Sequence, residues 1–129
     1  MKIDHIGYLV KNIETSINEF LKLGYEIHSE LFFDNQRNVR IIFLFKENYK
    51  IELIEPVEEK AHAYNLLKKN GNMPYHICYS VEEIEKIIEE LKKEKYILLE
   101  PLQTASALDE KRVCFMYHNH VGIIELVEK

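Results

Sequence analysis

Shifted by 71 positions, the chain lies over itself. DHIGYLVKNIETSINEFLKLGYEI, from residue 4, runs over YHICYSVEEIEKIIEELKKEKYIL, from residue 75, without a gap. His5 meets His76, Tyr8 meets Tyr79, Val10 meets Val81, Ile13 meets Ile84 and Tyr25 meets Tyr96. Farther on, RIIFLFKENYKIELIE (40–55) lies over RVCFMYHNHVGIIELVE (112–128), with one extra residue in the second copy, and Glu52 meets Glu125. A repeat of this period used twice specifies a duplicated module rather than a solenoid.

Each copy reads as a strand, a helix and then strands. The first helix starts after Asn12, a good N-cap, turns Ile13, Ile17, Phe20 and Leu21 to one face, and stops at Gly24. The second is expected to begin at Ser80, with Glu83 completing a capping box, and carries Ile84, Ile87, Ile88 and Leu91 as its stripe. β-rich stretches follow near 25–33, 39–46 and 49–55, and again near 96–100, 112–117 and 121–127. The expected organisation is one α+β domain over 1–129, with module one about 1–56, a linker about 57–72 and module two about 73–129, each module βαβββ. Within the linker, AHAYNLLKK reads as a short helix and NGN as a turn. Residues 103–111 read as a polar loop over a site.

Strand parity then sorts the side chains. Ile6, Tyr8 and Val10 share the helix-facing side, as do Ile77, Tyr79 and Val81. His5 and His76 look the other way, and so do Glu52 and Glu125, flanked by Ile51 and Leu53 or Ile124 and Leu126. Two modules related by a pseudo-twofold would gather these four groups. A buried carboxylate is costly without compensation, and a divalent cation compensates two at once. Imidazole with carboxylate is a reasonable ligand set for a first-row metal.

These residues resemble the vicinal oxygen chelate superfamily, which includes glyoxalase I and methylmalonyl-CoA epimerase. DHIGYLVKNIETSINEFLKLGYEI is similar to its first βα unit, KIELIEP to its first carboxylate strand, GNMPYHICYSVEEIEKIIEEL to its second βα unit and GIIELVE to its closing strand. The resemblance implies a curled mixed sheet around a metal-binding cavity, with His5, Glu52, His76 and Glu125 as ligands of one divalent ion (Zn, Ni, Co or Mn). It implies a metal-dependent isomerase or lyase that takes a proton from beside a carbonyl, with Glu125 as first choice of base and Glu52 as second. The substrate would be an acyl-CoA thioester or a hemithioacetal. The linker and the ending YHNHVGIIELVE resemble the epimerases, whereas Glu52 resembles bacterial glyoxalase I; Arg40 and Ile41 stand where some epimerases have an acidic residue. The alternative is a drug-sequestering binding protein of the same fold without a metal. Relatives of this size imply a homodimer.

Composition narrows the partners. A net charge of −5 with no basic stripe argues against nucleic acid. Two cysteines, Cys78 and Cys114, without CxxC spacing, and an N-terminus without a long apolar run, predict a cytoplasmic protein without a membrane span. Arg40 and Arg112 recur in the two copies, as solvated groups or as holders of a substrate carboxylate or phosphate.

Overall fold

The structure is a computed structural model that describes residues 1–129, the side chain of residue 62 excepted. The fold is α+β, with nine strands and three α-helices among the described residues. The chain forms two compact units, one of residues 5–75 and one of residues 76–129 joined by residues 1–4. No helix is long and apolar enough to cross a membrane.

The first unit contains β1 (Lys2–Leu9), whose first residues group with the other unit, then α1 (Ile13–Lys22), β2 (Glu26–Ile27), β3 (Phe32–Asp34), β4 (Val39–Lys46), β5 (Tyr49–Pro56) and α2 (His62–Asn70). Its strands run in the order β2-β4-β5-β1, and β3 also pairs with β4. The stretch expected near 25–33 is thus two short strands, both antiparallel to β4. β4 and β5 are antiparallel, while β1 lies parallel to β5 with Gly7 opposite Glu52. The apolar faces of β1, β4, β5 and α1 close on one another: Val10, Ile13, Ile42, Leu44, Ile51 and Leu53 are buried, with Ile6, Tyr8, Ile17, Phe20 and Tyr25 packed against them.

The second unit repeats the plan with β6 (Met73–Val81), α3 (Ile84–Lys93), β7 (Ile97–Ala105), β8 (Lys111–His118) and β9 (Gly122–Glu128). The strand order is β6-β9-β8-β7, with β6 parallel to β9 and the other pairs antiparallel. Val81, Ile84, Ile88, Cys114, Met116, Ile124 and Leu126 form its helix-side core. The polar stretch expected as a loop from residue 103 stays in strand β7 as far as Ala105 and then makes a single 3₁₀ turn, Ser106–Leu108. The extra residue of the second copy sits in a hairpin. Lys46 pairs with Tyr49 around a tight loop, whereas His118 pairs with Gly122 around a longer one, and Gly122 takes φ 93°, which a side chain resists.

The helix ends show how far the duplication reaches. Asn12 caps α1 by accepting from Thr15 N at 2.9 Å. Ser80 caps nothing: it lies in β6, paired with Val127, and the N-cap position of α3 is Glu83, without a side-chain cap. The expected capping box fails because the strand continues through Ser80. A glutamate from the last strand of each module serves the helix start instead. Glu55 Oε2 accepts from Ile13 N at 3.2 Å, and Glu128 Oε2 accepts from Ile84 N at 3.4 Å. At the C-termini the two helices share one Schellman geometry. Gly24 N and Tyr25 N donate to Leu21 O and Phe20 O; Lys95 N and Tyr96 N donate to Lys92 O and Leu91 O. Gly24 has φ 95°, and the second copy places Lys95 there at φ 71°.

A left-handed lysine is strained where glycine is not, by about 1 kcal/mol. Lys95→Gly should therefore raise unfolding stability by about 0.5–1 kcal/mol, and Gly24→Ala should lower it by about 1 kcal/mol. Urea unfolding of both variants measures this, and a destabilised Lys95→Gly would show that the lysine is held there by contacts outweighing its backbone strain.

Candidate functional site

Each unit carries one buried histidine–glutamate pair on the sheet face away from its helix. In the first, β1 supplies His5 and β5 supplies Glu52, with His5 Nε2 3.4 Å from Glu52 Oε1. In the second, β6 supplies His76 and β9 supplies Glu125, with His76 Nε2 3.1 Å from Glu125 Oε1. Relative exposures of 1% for His5, 5% for Glu52, 4% for His76 and 4% for Glu125 exclude a solvated role for any of them. Strand parity explains the pairing. The helix-facing neighbours Ile51 and Leu53, or Ile124 and Leu126, are buried in the helix-side cores, so the intervening glutamate must point to the opposite face. Parallel pairing of β1 with β5, and of β6 with β9, then sets a histidine beside it.

A third side chain in each unit completes the arrangement. Phe43 is the cross-strand partner of Glu52 on β4, and its ring meets the His5 imidazole edge-on at 5.3 Å and 81°. Phe115 is the partner of Glu125 on β8 and meets His76 at 5.1 Å and 87°. Such contacts fix the plane of an imidazole without taking up its nitrogens. Neither phenylalanine was singled out by the sequence reading. The signal was present, because RIIFLF over RVCFMY sets Phe43 on Phe115 with the parity of the glutamates.

The other charged, thiol and imidazole side chains considered in turn fall outside this arrangement. Arg40 binds Glu55 at 2.8 Å and also Glu14 in the first turn of α1. Arg112 binds Glu128 through Nε and Nη2, both at 2.9 Å, and also Glu85 in the first turn of α3. Hydrogen bonding raises both guanidinium pKa values, chiefly through Glu14 for Arg40 and Glu128 for Arg112. The recurring arginines therefore tie a helix start to a strand end. Cys114 is buried in the helix-side core, and burial, with smaller effects from the Glu125 and Glu100 carboxylates, pushes its thiol up to about 12. A thiol so protonated fills space rather than attacking. Cys78 packs with Ala105, Val113 and Val127. His118 and His120 occupy the β8–β9 turn, where His118 Nδ1 accepts from His120 N at 3.0 Å. Lys68 and Lys69 are exposed in the last turn of α2. Tyr8 and Tyr79 belong to the cores.

Each unit's buried imidazole and carboxylate are donors of the kind that suit a divalent first-row ion, because the carboxylate supplies charge and the imidazole a borderline nitrogen ligand. The sequence has relatives of known activity. It is 29% identical over 132 residues to a mitochondrial methylmalonyl-CoA epimerase of Dictyostelium discoideum, covering 99% of this chain and 78% of that one. It is 30% identical over 95 residues to an ethylmalonyl-CoA/methylmalonyl-CoA epimerase of Cereibacter sphaeroides, covering 71% of this chain and 69% of the relative. The crystal structure of a hypothetical protein from Bacillus halodurans C-125 superposes with a TM-score of 0.87 at 26% identity, over 99% of this chain and 94% of that one. Residues 4–115 match the family model of the Glyoxalase/Bleomycin resistance protein/Dioxygenase superfamily, and the chain belongs to that superfamily.

Proposed function

We propose that this protein is a divalent-metal-dependent epimerase of malonyl-type acyl-CoA thioesters, with His5, Glu52, His76 and Glu125 as ligands of one ion and Glu125 and Glu52 as the proton-transferring pair. The observation that carries this reading is the duplicated, buried histidine–glutamate pair, one per module, at matching strand positions. The epimerase relatives supply the substrate class.

A bound ion would supply Lewis-acid polarisation of a substrate carbonyl oxygen. The chain's own residues do the rest. His5 and His76, held edge-on by Phe43 and Phe115, present fixed nitrogen donors. A carboxylate oxygen of Glu125 takes the proton on the carbon between thioester and carboxylate, leaving a planar enolate. Glu52, having first taken a proton from solvent, delivers it to the opposite face, so the carbon inverts; Glu125 then loses its proton to solvent, which resets the two carboxyls. The reverse epimer uses the same groups in the opposite order. Glu52 also supports a second reading, glyoxalase-type isomerisation of a hemithioacetal, in which the proton returns to the neighbouring carbon. Two buried acid–imidazole pairs favour either reaction over metal-free drug sequestration.

Protein purified without chelator should carry about one divalent ion per chain by elemental analysis. In deuterated buffer it should exchange the α-proton of methylmalonyl-CoA, and chelator should stop the exchange until a divalent ion is restored. Exchange with hemithioacetals alone would replace the epimerase reading by the isomerase one, and exchange with neither substrate class under any divalent ion would overturn both. Glu125→Gln, assayed at saturating metal, should lower the exchange rate by about 100-fold or more. An unchanged rate would remove Glu125 as the base.

A further inference from the structure

The two modules match at His5 and His76, Glu52 and Glu125, and Phe43 and Phe115, but they differ in charge at a neighbouring position. In the first unit Lys50 precedes Glu52 by two residues on β5 and faces the same side, about 7 Å along the strand. Its cross-strand partner is Phe45, and its ammonium lies 5.3 Å from the centre of the Phe43 ring, the ring that contacts His5. In the second unit Ile123 stands at this place, paired with Tyr117. One copy thus carries a half-buried cation beside its acid–imidazole pair, and the other an apolar residue.

From this asymmetry we infer that Lys50 is the specificity-determining residue that receives the ionised carboxylate of the acyl group. The inference rests on the epimerase reading above. A reaction at the carbon beside Glu52 brings the acyl carboxylate within a few ångströms of that residue. The diphosphate of coenzyme A lies at the far end of an extended pantetheine arm. Of the substrate's anionic groups, the one within reach of Lys50 is therefore the carboxylate. Cation–π contact with Phe43 restricts the flexible side chain, which lessens the ordering needed when substrate arrives.

Malonyl-CoA and acetoacetyl-CoA are near-isosteric, and both offer two oxygens to an ion, but only the first carries a carboxylate. Titration calorimetry on the metal-loaded protein should show a preference for malonyl-CoA that falls at least fivefold in Lys50→Gln and survives in Lys50→Arg. In the exchange assay, Lys50→Gln should raise KM for methylmalonyl-CoA about tenfold with little change in kcat, and should alter exchange of neutral 2-methylacetoacetyl-CoA by less than twofold. An unaltered preference overturns the inference, as does an equal loss on charged and neutral substrates, which marks a purely structural lysine. A wild-type protein inactive on every acyl-CoA sinks the epimerase reading and this inference together; an active wild type with an indifferent Lys50→Gln sinks this inference alone.

Discussion

Burying a carboxylate in a β-sheet is the constraint to which each module is built. Glu52 and Glu125 lie almost wholly out of water, on strands whose other face is packed with aliphatic side chains. An ionised carboxylate in such surroundings costs several kcal/mol unless an opposing charge or donor stands beside it. Both modules answer with an imidazole from the parallel neighbouring strand and a phenylalanine from the antiparallel one. Histidine suits this position because it can donate, accept or bind a metal through the nitrogen it presents. A lysine in its place would offer only a fixed charge.

The arginine–glutamate clamps show how the scaffold holds that pair in register. Glu55 and Glu128 close the strands that carry Glu52 and Glu125, three residues earlier. Each accepts from the first N–H of its module's helix, at the positive end of the helix dipole, and each also binds an arginine from the adjacent strand. Helix, carboxylate strand and central strand are thereby joined at one corner. The helix that covers one face of the sheet is fixed relative to the strand that projects the acid from the other. In this way two exposed-looking arginines bear on the geometry of buried groups they never touch.

Most of this was legible in the sequence, since periodicity and repetition report directly on side-chain direction. Alternation on β1 and β5 separates His5 and Glu52 from Ile6, Ile51 and Leu53, and the repeat shows that the separation is not accidental. What stayed hidden depends on where strands end and which neighbours they acquire. Ser80 followed three residues later by Glu83 has the form of a capping box, yet β9 keeps Ser80 in the ladder, and Glu128, distant in sequence, takes over the helix start. Phe43 and Phe115 read as ordinary core residues until cross-strand pairing sets them opposite the glutamates. Arg40 and Arg112 read as possible anion holders because their carboxylate partners come from two other elements.

Duplication followed by divergence sorts residues into two kinds. Where both copies keep the same side chain in the same contact, as in the edge-on phenylalanines and the strand-end glutamates, the physical demand is common to both: a buried acid must be compensated and a helix start must be satisfied. Where the copies differ, the demand is local. Lys95 in place of Gly24 changes a turn and leaves the Schellman hydrogen bonds intact. The longer β8–β9 hairpin changes a loop and leaves the ladder beside Glu125 in register. Ile123 in place of Lys50 is different in kind, because it alters charge on the face that holds the acid–imidazole pair, where a charge is felt most strongly.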